Sequence, residues 1–180
     1  PQNMLDAISV ARYEGAQGVV VVCAGTVHTA LDVQKIHPYQ LNAFSSGDAG
    51  PLAYVEEGQL RQLRSWPHTE KYTASSVDWT NFDSLNWPHV EIIMSYVGAS
   101  GAVVDALVAQ GVRGLVAAGT GNGTLHQTLE AALYKAQAAG VKVVRASRCM
   151  NGRILPTPGG LVANFADSHG LSPVKARVAL

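Results

Sequence analysis

The glycine-rich segment at residues 119–124 is the first candidate for chemistry in this sequence. It reads Gly119-Thr120-Gly121-Asn122-Gly123-Thr124 and lies between an apolar run and a stretch with helical spacing. Backbone N–H groups at the start of such a helix attract phosphates and carboxylates. The glycine spacing matches neither a dinucleotide-binding turn nor a P-loop. The segment therefore predicts either an anion-binding turn, with the Asn122 amide as a ligand group, or a tight turn that needs glycine for backbone reasons alone.

A single lysine is the second candidate. Lys35 ends the segment Asp32-Val33-Gln34-Lys35, which follows the first apolar strand. A lysine near the carboxyl end of a strand can lower the pKa of a neighbouring hydroxyl or neutralise a carboxylate. A lone lysine is more commonly a solvated surface charge. The residue types leave both interpretations open.

The other reactive side chains show no spacing of a catalytic or metal site. The 6 histidines contain no His-x-x-x-His pair, and no Gly-x-Ser-x-Gly elbow is present. With 2 cysteines, neither a disulfide framework nor a thiolate zinc cluster can form. Cys149 lies near Arg145 and Arg148 in the sequence, but a structural role is the better interpretation. Arg145, Arg148 and Arg153 are interpreted as a solvated rim.

The composition excludes several classes of protein. The chain has 180 residues, of which 47% are hydrophobic and 14% charged, and its formal net charge is zero. Such a chain can bury a core and is too apolar for intrinsic disorder. Its balanced charge gives no electrostatic reason to expect nucleic acid or an anionic membrane surface as a partner. The longest apolar run, residues 19–24, is far too short to span a membrane.

The first third of the chain has the pattern of an α/β domain. Apolar residues at helical spacing predict a helix over residues 4–11, with Asn3 as its cap. Residues 19–24 are continuously apolar and β-branched, which is typical of a strand buried on both faces of a parallel sheet. Residues 52–55 and 60–63 predict a hairpin, because Gly58 can adopt the positive φ of its turn.

After residue 88, strands alternate with helices. Strands are predicted at 90–96, 115–118 and 141–146, with helices after Ser100, over 125–139, and from Ser172-Pro173 to Val178. This alternation indicates a parallel sheet with right-handed crossovers. The fold class is therefore α/β. The predicted organisation is the end of a larger parallel-sheet α/β domain (1–64), a linker (65–88) and a smaller Rossmann-like α/β domain (89–180).

Several segments in collinear order resemble the bacterial L-asparaginase/glutaminase-asparaginase family. The similar segments are Asn3-Met4-Leu5-Asp6-Ala7, Gly18-Val19-Val20-Val21-Val22, Asp32-Val33-Gln34-Lys35, Gly50-Pro51-Leu52-Ala53-Tyr54-Val55, Gly119-Thr120-Gly121-Asn122-Gly123, Val144-Arg145-Ala146-Ser147-Arg148 and residues 171–178. The resemblance implies an amidohydrolase that converts L-asparagine to L-aspartate and ammonia without metal or cofactor. It implies a threonine nucleophile supported by a Thr-Asp-Lys group, in which Lys35 matches the lysine.

The same resemblance assigns Asn122 to substrate binding. The matching asparagine of the family serves the site of a neighbouring subunit, so a homo-oligomer is implied, with four subunits as the family pattern, and with L-asparagine or L-glutamine as substrate. We also expect Lys35 to be buried beside a polar cavity near the end of the strand at 19–24. A soluble bacterial protein, cytoplasmic or periplasmic, is implied.

The sequence also departs from the family pattern. The motifs Thr-Gly-Gly-Thr and Gly-Thr-Asp-Thr, which supply the family's nucleophile and the rest of its catalytic group, are absent, and Ile36-His37-Pro38 replaces Thr-Asn-Thr after Lys35. We therefore expect the chain to lack the amino-terminal third and the extreme carboxyl terminus of a complete enzyme, and to be inactive alone. Glutaminase activity, an ammonia-releasing amidotransferase subunit and a non-catalytic binding module are the alternatives.

Overall fold

The computed structural model describes residues 1–67, 87–156 and 165–180. The chain forms two compact units, Pro1–Phe82 and Asp83–Leu180. The helices are α1 (Gln2–Ala11), a 3-10 helix (Gly47–Ala49), α2 (Ala102–Ala109), α3 (Gln127–Ala138) and α4 (Pro173–Ala179). The strands are β1 (Val20–Cys23), β2 (Thr26–Thr29), β3 (Gln34–Lys35), β4 (Phe44–Ser45), β5 (Ala53–Glu56), β6 (Gln59–Gln62), β7 (Val90–Met94), β8 (Gly114–Gly119), β9 (Lys142–Ser147) and β10 (Ala166–Asp167). Of the predicted linker, residues 68–86 lie outside the described residues.

The described strands of the first unit form two antiparallel sheets. One has the order β1-β2-β5-β6, and β3 pairs with β4 separately. Helix α1 packs against β1, β5 and β6. Among the described residues, the core consists of five buried side chains, contributed by the helix, the sheet and the segment before β5: Val10, Val27, Leu52, Ala53 and Val55.

The prediction that residues 19–24 form a strand buried on both faces of a parallel sheet is wrong. All four residues of β1 are only half-buried, and among the described residues β1 pairs with β2 alone, in antiparallel register. The reason is the turn that follows β1. Ala24 and Gly25 have φ angles of 49° and 71°, so the chain reverses at once into β2. A two-residue turn with both φ angles positive matches the twist of a hairpin.

The helix at the start of the chain is confirmed, but its predicted cap is wrong. Asn3 lies inside α1, and its Oδ1 accepts a hydrogen bond from the backbone N–H of Ala24 at 3.0 Å. The side chain therefore stabilises the β1–β2 turn, where Ala24 holds an unfavourable left-handed conformation. The hairpin of β5 and β6 is confirmed, with positive φ at both Glu57 and Gly58.

The second unit has the parallel sheet that the sequence predicts. Its strand order is β10-β9-β8-β7, and all three pairings are parallel. Alternate residues of β8 face opposite layers. Leu115 and Ala117 belong to the core under α2 and α3, whereas Val116 packs with Ala176 of α4. The α/β class is thereby confirmed, and burying each large side chain contributes about 1.5–3 kcal/mol.

The final helix begins as the sequence predicts. The Ser172 Oγ accepts a hydrogen bond from the Lys175 backbone N–H at 3.5 Å, and Pro173 is the first helical residue. Within the described part of the chain, no helix is both long enough and apolar enough to cross a membrane.

Candidate functional site

The glycine-rich segment forms a tight hairpin-like turn at the carboxyl end of β8, which is the edge where parallel α/β sheets bind ligands. Thr120 and Thr124 close the turn with two backbone hydrogen bonds, of 3.0 and 2.8 Å. Gly121 and Gly123 have φ angles of 50° and 78°, and Asn122 lies between them at the exposed tip. The structure thus places Asn122 at the tip of the turn, and its role as a ligand group stays a prediction.

Close packing explains two of the glycines better than anion binding does. A Cβ on Gly119 would lie 2.4 Å from the carbonyl carbon of Gly123, so the turn closes too tightly for any side chain there. A Cβ on Gly123 would lie 2.7 Å from the Ile154 side chain and 3.1 Å from the Arg145 stem. The alternative interpretation, a turn that needs glycine for backbone reasons, therefore holds at Gly119, whereas Gly123 is required by side-chain packing and by its φ of 78°.

The Asn122 side chain is bound to the loop that follows β9. Its Nδ2 donates to the Leu155 carbonyl at 3.0 Å, and its Oδ1 accepts from the Leu155 backbone N–H at 2.8 Å. The turn has a further connection to the end of β9, where the Ser147 Oγ donates to the Gly121 carbonyl at 2.6 Å. Neither contact was predicted from the sequence, because the partners are separated by 33 and 26 residues and no local pattern links them.

Of the three arginines interpreted as a solvated rim, one is buried and another makes a hydrogen bond to a backbone carbonyl. Arg145 is 6% exposed, so the interpretation is wrong for this residue. Its Nε has no hydrogen-bond partner among the described residues. Arg148 is exposed, but its Nη1 donates to the Ser95 carbonyl at 2.9 Å, and its backbone N–H donates to the Gly119 carbonyl at 2.8 Å. Arg148 thus holds the base of the turn, while Arg153 is exposed.

Tyr134 lies on helix α3, close enough to Arg145 for the two side chains to interact electrostatically. Burial raises the pKa of its phenol, and the charge of Glu130 raises it further, while the charge of Arg145 lowers it in part. The Tyr134 ring stacks on Phe165 at a centroid distance of 4.5 Å. The neutral phenol therefore belongs to the packed layer beneath α3.

Lys35 occupies the small sheet of the first unit. It pairs in register with Phe44, and its Nζ lies 6.0 Å from the centroid of the Phe44 ring. The residue is exposed, so the expectation that it is buried is wrong. A two-residue strand at the surface does not cover a long side chain, and the ammonium stays in water.

Asp32 fixes the segment that leads to Lys35. One oxygen of its carboxylate accepts hydrogen bonds from the Thr29 hydroxyl at 2.8 Å and from the Arg64 guanidinium at 3.0 Å. The same guanidinium donates to the Gly50 carbonyl at 2.9 Å. Asp32 therefore positions the turn between β2 and β3 and, through it, the backbone of Lys35.

The first unit also contains a buried histidine that the sequence does not predict. His28 on β2 is 3% exposed, and its Nδ1 lies 2.7 Å from the Ser46 hydroxyl in a hydrogen bond. Burial lowers the pKa of His28. The pattern of β2 gives no signal for this burial, because the three consecutive residues 27–29 are all buried, and the Ser46 partner is distant in sequence.

Lys35 belongs to the first unit and Asn122 to the second. The contacts described for each residue lie within its own unit. No cluster of three or more His, Cys, Asp or Glu side chains within residues 1–67, 87–156 and 165–180 could hold a metal ion. The described residues thus form a two-unit α/β protein with a polar turn at the edge of a parallel sheet and an exposed lysine in a small antiparallel sheet.

Both units of the chain match models of known protein families. Residues 89–180 match the model of the glutaminase/asparaginase C-terminal domain, and residues 1–68 match that of the asparaginase N-terminal domain. The chain therefore belongs to the glutaminase/asparaginase family. Together the two matches span both units in the order that the family has.

Individual proteins show the same similarity. The chain is 33% identical to L-asparaginase 2 of Escherichia coli, covering 100% of this chain and 52% of that protein. It is 31% identical to the glutaminase-asparaginase of Pseudomonas fluorescens, covering 98% of this chain and 49% of that protein. The crystal structure of a probable cytoplasmic L-asparaginase from Campylobacter jejuni matches with a TM-score of 0.83 and 30% identity, covering 99% of this chain and 58% of that chain. The chain thus spans about half the length of these relatives.

Proposed function

We propose that the protein is an asparaginase-type amidohydrolase, which converts L-asparagine to L-aspartate and ammonia. The observation that carries the proposal is the collinear match of both family domains, over residues 1–68 and 89–180. Relatives named as L-asparaginases and the similar L-asparaginase structure support it. The division into residues 1–64, a linker at 65–88 and a domain at 89–180 is part of the same proposal.

Lys35 is the catalytic residue of the proposal. The reaction needs a hydroxyl nucleophile to be deprotonated at neutral pH, and a fixed positive charge nearby stabilises the deprotonated form. The Asp32 bonds to Thr29 and Arg64 fix the backbone that carries Lys35, and its exposed ammonium can supply that charge to a hydroxyl brought beside it. We take the attacking hydroxyl to be a threonine, as the family resemblance implies, and assign it to no residue of this chain.

Asn122 is the substrate-binding residue of the proposal. It lies at the exposed tip of the glycine-rich turn, and its amide is oriented by the Leu155 backbone. An amide can donate to a carboxylate and accept from an ammonium, which are the two groups of an amino acid that do not react here. The proposal gives Asn122 to the site of a neighbouring subunit, so the protein is a homo-oligomer, with four subunits as its expected size.

A glutamine-directed activity is the second candidate. The glutaminase-asparaginase of Pseudomonas fluorescens is 31% identical. A glutamyl-tRNA(Gln) amidotransferase protein of Pyrococcus abyssi is 28% identical, covering 84% of this chain and 35% of that protein. These similarities favour keeping L-glutamine as an alternative substrate. A non-catalytic binding module is the interpretation that remains if neither amide is hydrolysed.

The experiment that tests the proposal compares both substrates on one preparation. Ammonia release from L-asparagine and from L-glutamine is measured by a coupled assay, using the protein as its gene encodes it. We expect a higher kcat/KM for L-asparagine. A higher value for L-glutamine would establish the second candidate instead, and release from neither substrate would overturn both.

A further inference from the structure

The Ser147 hydroxyl lies where the glycine-rich turn meets the loop after β9. Its Oγ donates to the Gly121 carbonyl at 2.6 Å and accepts from the Cys149 backbone N–H at 2.9 Å. Ser147 is also the last residue of β9 and is in register with Gly119, where the turn begins. One side chain on a fixed strand therefore contacts both segments.

The second connection between the same two segments is the Asn122 amide. This amide makes two hydrogen bonds to Leu155, through the backbone N–H and the carbonyl. The Gly121–Ser147 and Asn122–Leu155 hydrogen bonds are together called the turn–loop clamp. The clamp connects residues 119–124 with residues 147–155 through side chains on each segment.

The turn cannot fix the direction of its tip by itself. The two hydrogen bonds between Thr120 and Thr124 close the base, but the residues on each side of Asn122 are glycines with positive φ. Glycine has more backbone freedom than any other residue, so a tip between two glycines is held poorly by local forces. The orientation of Asn122 therefore depends on contacts from outside the turn, and Ser147 supplies one of them.

We propose that Ser147 is a positioning residue for substrate binding, because its hydroxyl holds the glycine-rich turn in the orientation that the Asn122–Leu155 hydrogen bonds require. This inference rests on the proposed function of Asn122. Ser147 itself contacts no substrate in this account. A group held before the ligand arrives need not be ordered on binding, so the clamp strengthens binding and leaves the chemical step unchanged.

The test compares Ser147→Ala, Ser147→Thr and Ser100→Ala, each made in the protein as its gene encodes it. Ser147→Ala removes the hydroxyl, Ser147→Thr keeps it, and Ser100 is an exposed serine of the same unit. The first readout is the hydrogen-exchange rate of the Leu155 backbone N–H, measured by residue-resolved NMR. Ser147 does not bond to this group, so a change there reports the coupling of turn and loop. The second readout is the separate determination of KM and kcat for L-asparagine.

We expect Ser147→Ala to speed exchange at Leu155 about fivefold, which corresponds to about 1 kcal/mol. We expect KM to rise by a similar factor with kcat nearly unchanged. Ser147→Thr should restore both values, and Ser100→Ala should change neither. Unchanged exchange at Leu155 in Ser147→Ala would overturn the inference, and so would a fall in kcat without a rise in KM.

Failure of the proposed function gives a different result. If neither the parent protein nor any of its variants releases ammonia from L-asparagine or L-glutamine, the proposed function is wrong. The role of Ser147 in substrate binding is then overturned with it. Faster exchange at Leu155 in Ser147→Ala would in that case still support the turn–loop clamp as a structural device.

Discussion

The structure predicts a large cost for adding one methyl group at Gly119. A Cβ there would lie 2.4 Å from the carbonyl carbon, 2.6 Å from the oxygen and 2.7 Å from the Cα of Gly123. Favourable contacts between carbon atoms lie at about 3.5–4.0 Å. All three atoms belong to backbone, so no side-chain rotation relieves the clash. In Gly119→Ala the turn must therefore open by about 1 Å to restore normal contact.

The size of the effect follows from what the opening breaks. Inserting a methyl group into a packed site costs about 1–3 kcal/mol. Opening the turn also breaks the two backbone hydrogen bonds between Thr120 and Thr124, each of which contributes about 1 kcal/mol. We expect Gly119→Ala to lower the free energy of unfolding by about 3–5 kcal/mol, a large part of the usual 5–15 kcal/mol.

Gly121→Ala in the same turn is the matched control. Gly121 has a φ of +50°, and no atom of the described residues lies within 4 Å of an added Cβ, so the substitution meets conformational strain and no clash with them. Left-handed strain costs about 1–2 kcal/mol for a residue with a Cβ. The two variants thus separate steric cost from backbone cost within one short segment.

Urea unfolding followed by circular dichroism measures both variants against the parent protein. We expect the midpoint for Gly119→Ala to lie well below that for Gly121→Ala, with a difference of about 2–3 kcal/mol in the free energy of unfolding. If Gly119→Ala is as stable as Gly121→Ala, the turn does not close as described, and the steric reasoning is refuted.

Four further results are expected. Lys35→Met should lower kcat about a hundredfold or more, as loss of a group that supports proton transfer does, whereas Lys142→Met on β9 should leave turnover unchanged; near-normal kcat in Lys35→Met would remove the assignment. Asn122→Ala should raise KM for L-asparagine more than it lowers kcat, because in the proposed function the residue binds the part of the substrate that does not react; a selective fall in kcat would speak against this role. Burial lowers the pKa of His28 from its ordinary value of 6.5, so the contribution of neutral His28 to stability is complete above pH 6.5 and is lost as the pH falls through the lower folded-state pKa. The urea midpoint should therefore drop less steeply on acidification in His28→Asn, which lacks this group, than in the control His169→Asn. Equal slopes in the two variants would contradict this role of His28. Activity should fall on extreme dilution if the proposed homo-oligomer carries shared sites, and a fully active monomer would contradict them.

The parallel sheet of the second unit could be predicted because its signals are local. The apolar run at 115–118 and the Ser172-Pro173 start of α4 each depend on neighbouring residues, and both are confirmed. The glycine-rich turn could be placed for the same reason, between β8 and α3. Strand, helix and cap preferences are properties of short segments, and alternation of elements then fixes the topology.

The first unit shows why a continuous apolar run is ambiguous. Residues 19–24 have the composition of a strand buried on both faces, yet β1 is half-buried and paired by a hairpin. The deciding feature is the Ala24-Gly25 turn with two positive φ angles. In the sequence, Gly25 indicates a turn at this point. Ala24 does not, because alanine adopts positive φ only when other contacts hold it there.

The site could be predicted as residue types but not as contacts. Asn122 is at the tip of its turn, as the sequence indicates, whereas its bonds to Leu155 and the bond from Ser147 to Gly121 join distant parts of the chain. The burial of Arg145 and the exposure of Lys35 were both missed. Burial of a long charged side chain depends on which layer covers it, and that is set by the packing of whole elements.

The fate of the side-chain amide nitrogen tests the central proposal most directly. L-asparagine carrying an isotope label in that amide is incubated with the protein as its gene encodes it, and the products are separated and analysed by mass spectrometry. The account predicts that all label leaves as ammonia while unlabelled L-aspartate accumulates in equal amount. Labelled L-asparagine that remains intact, under conditions where the protein is folded and oligomeric, would contradict it.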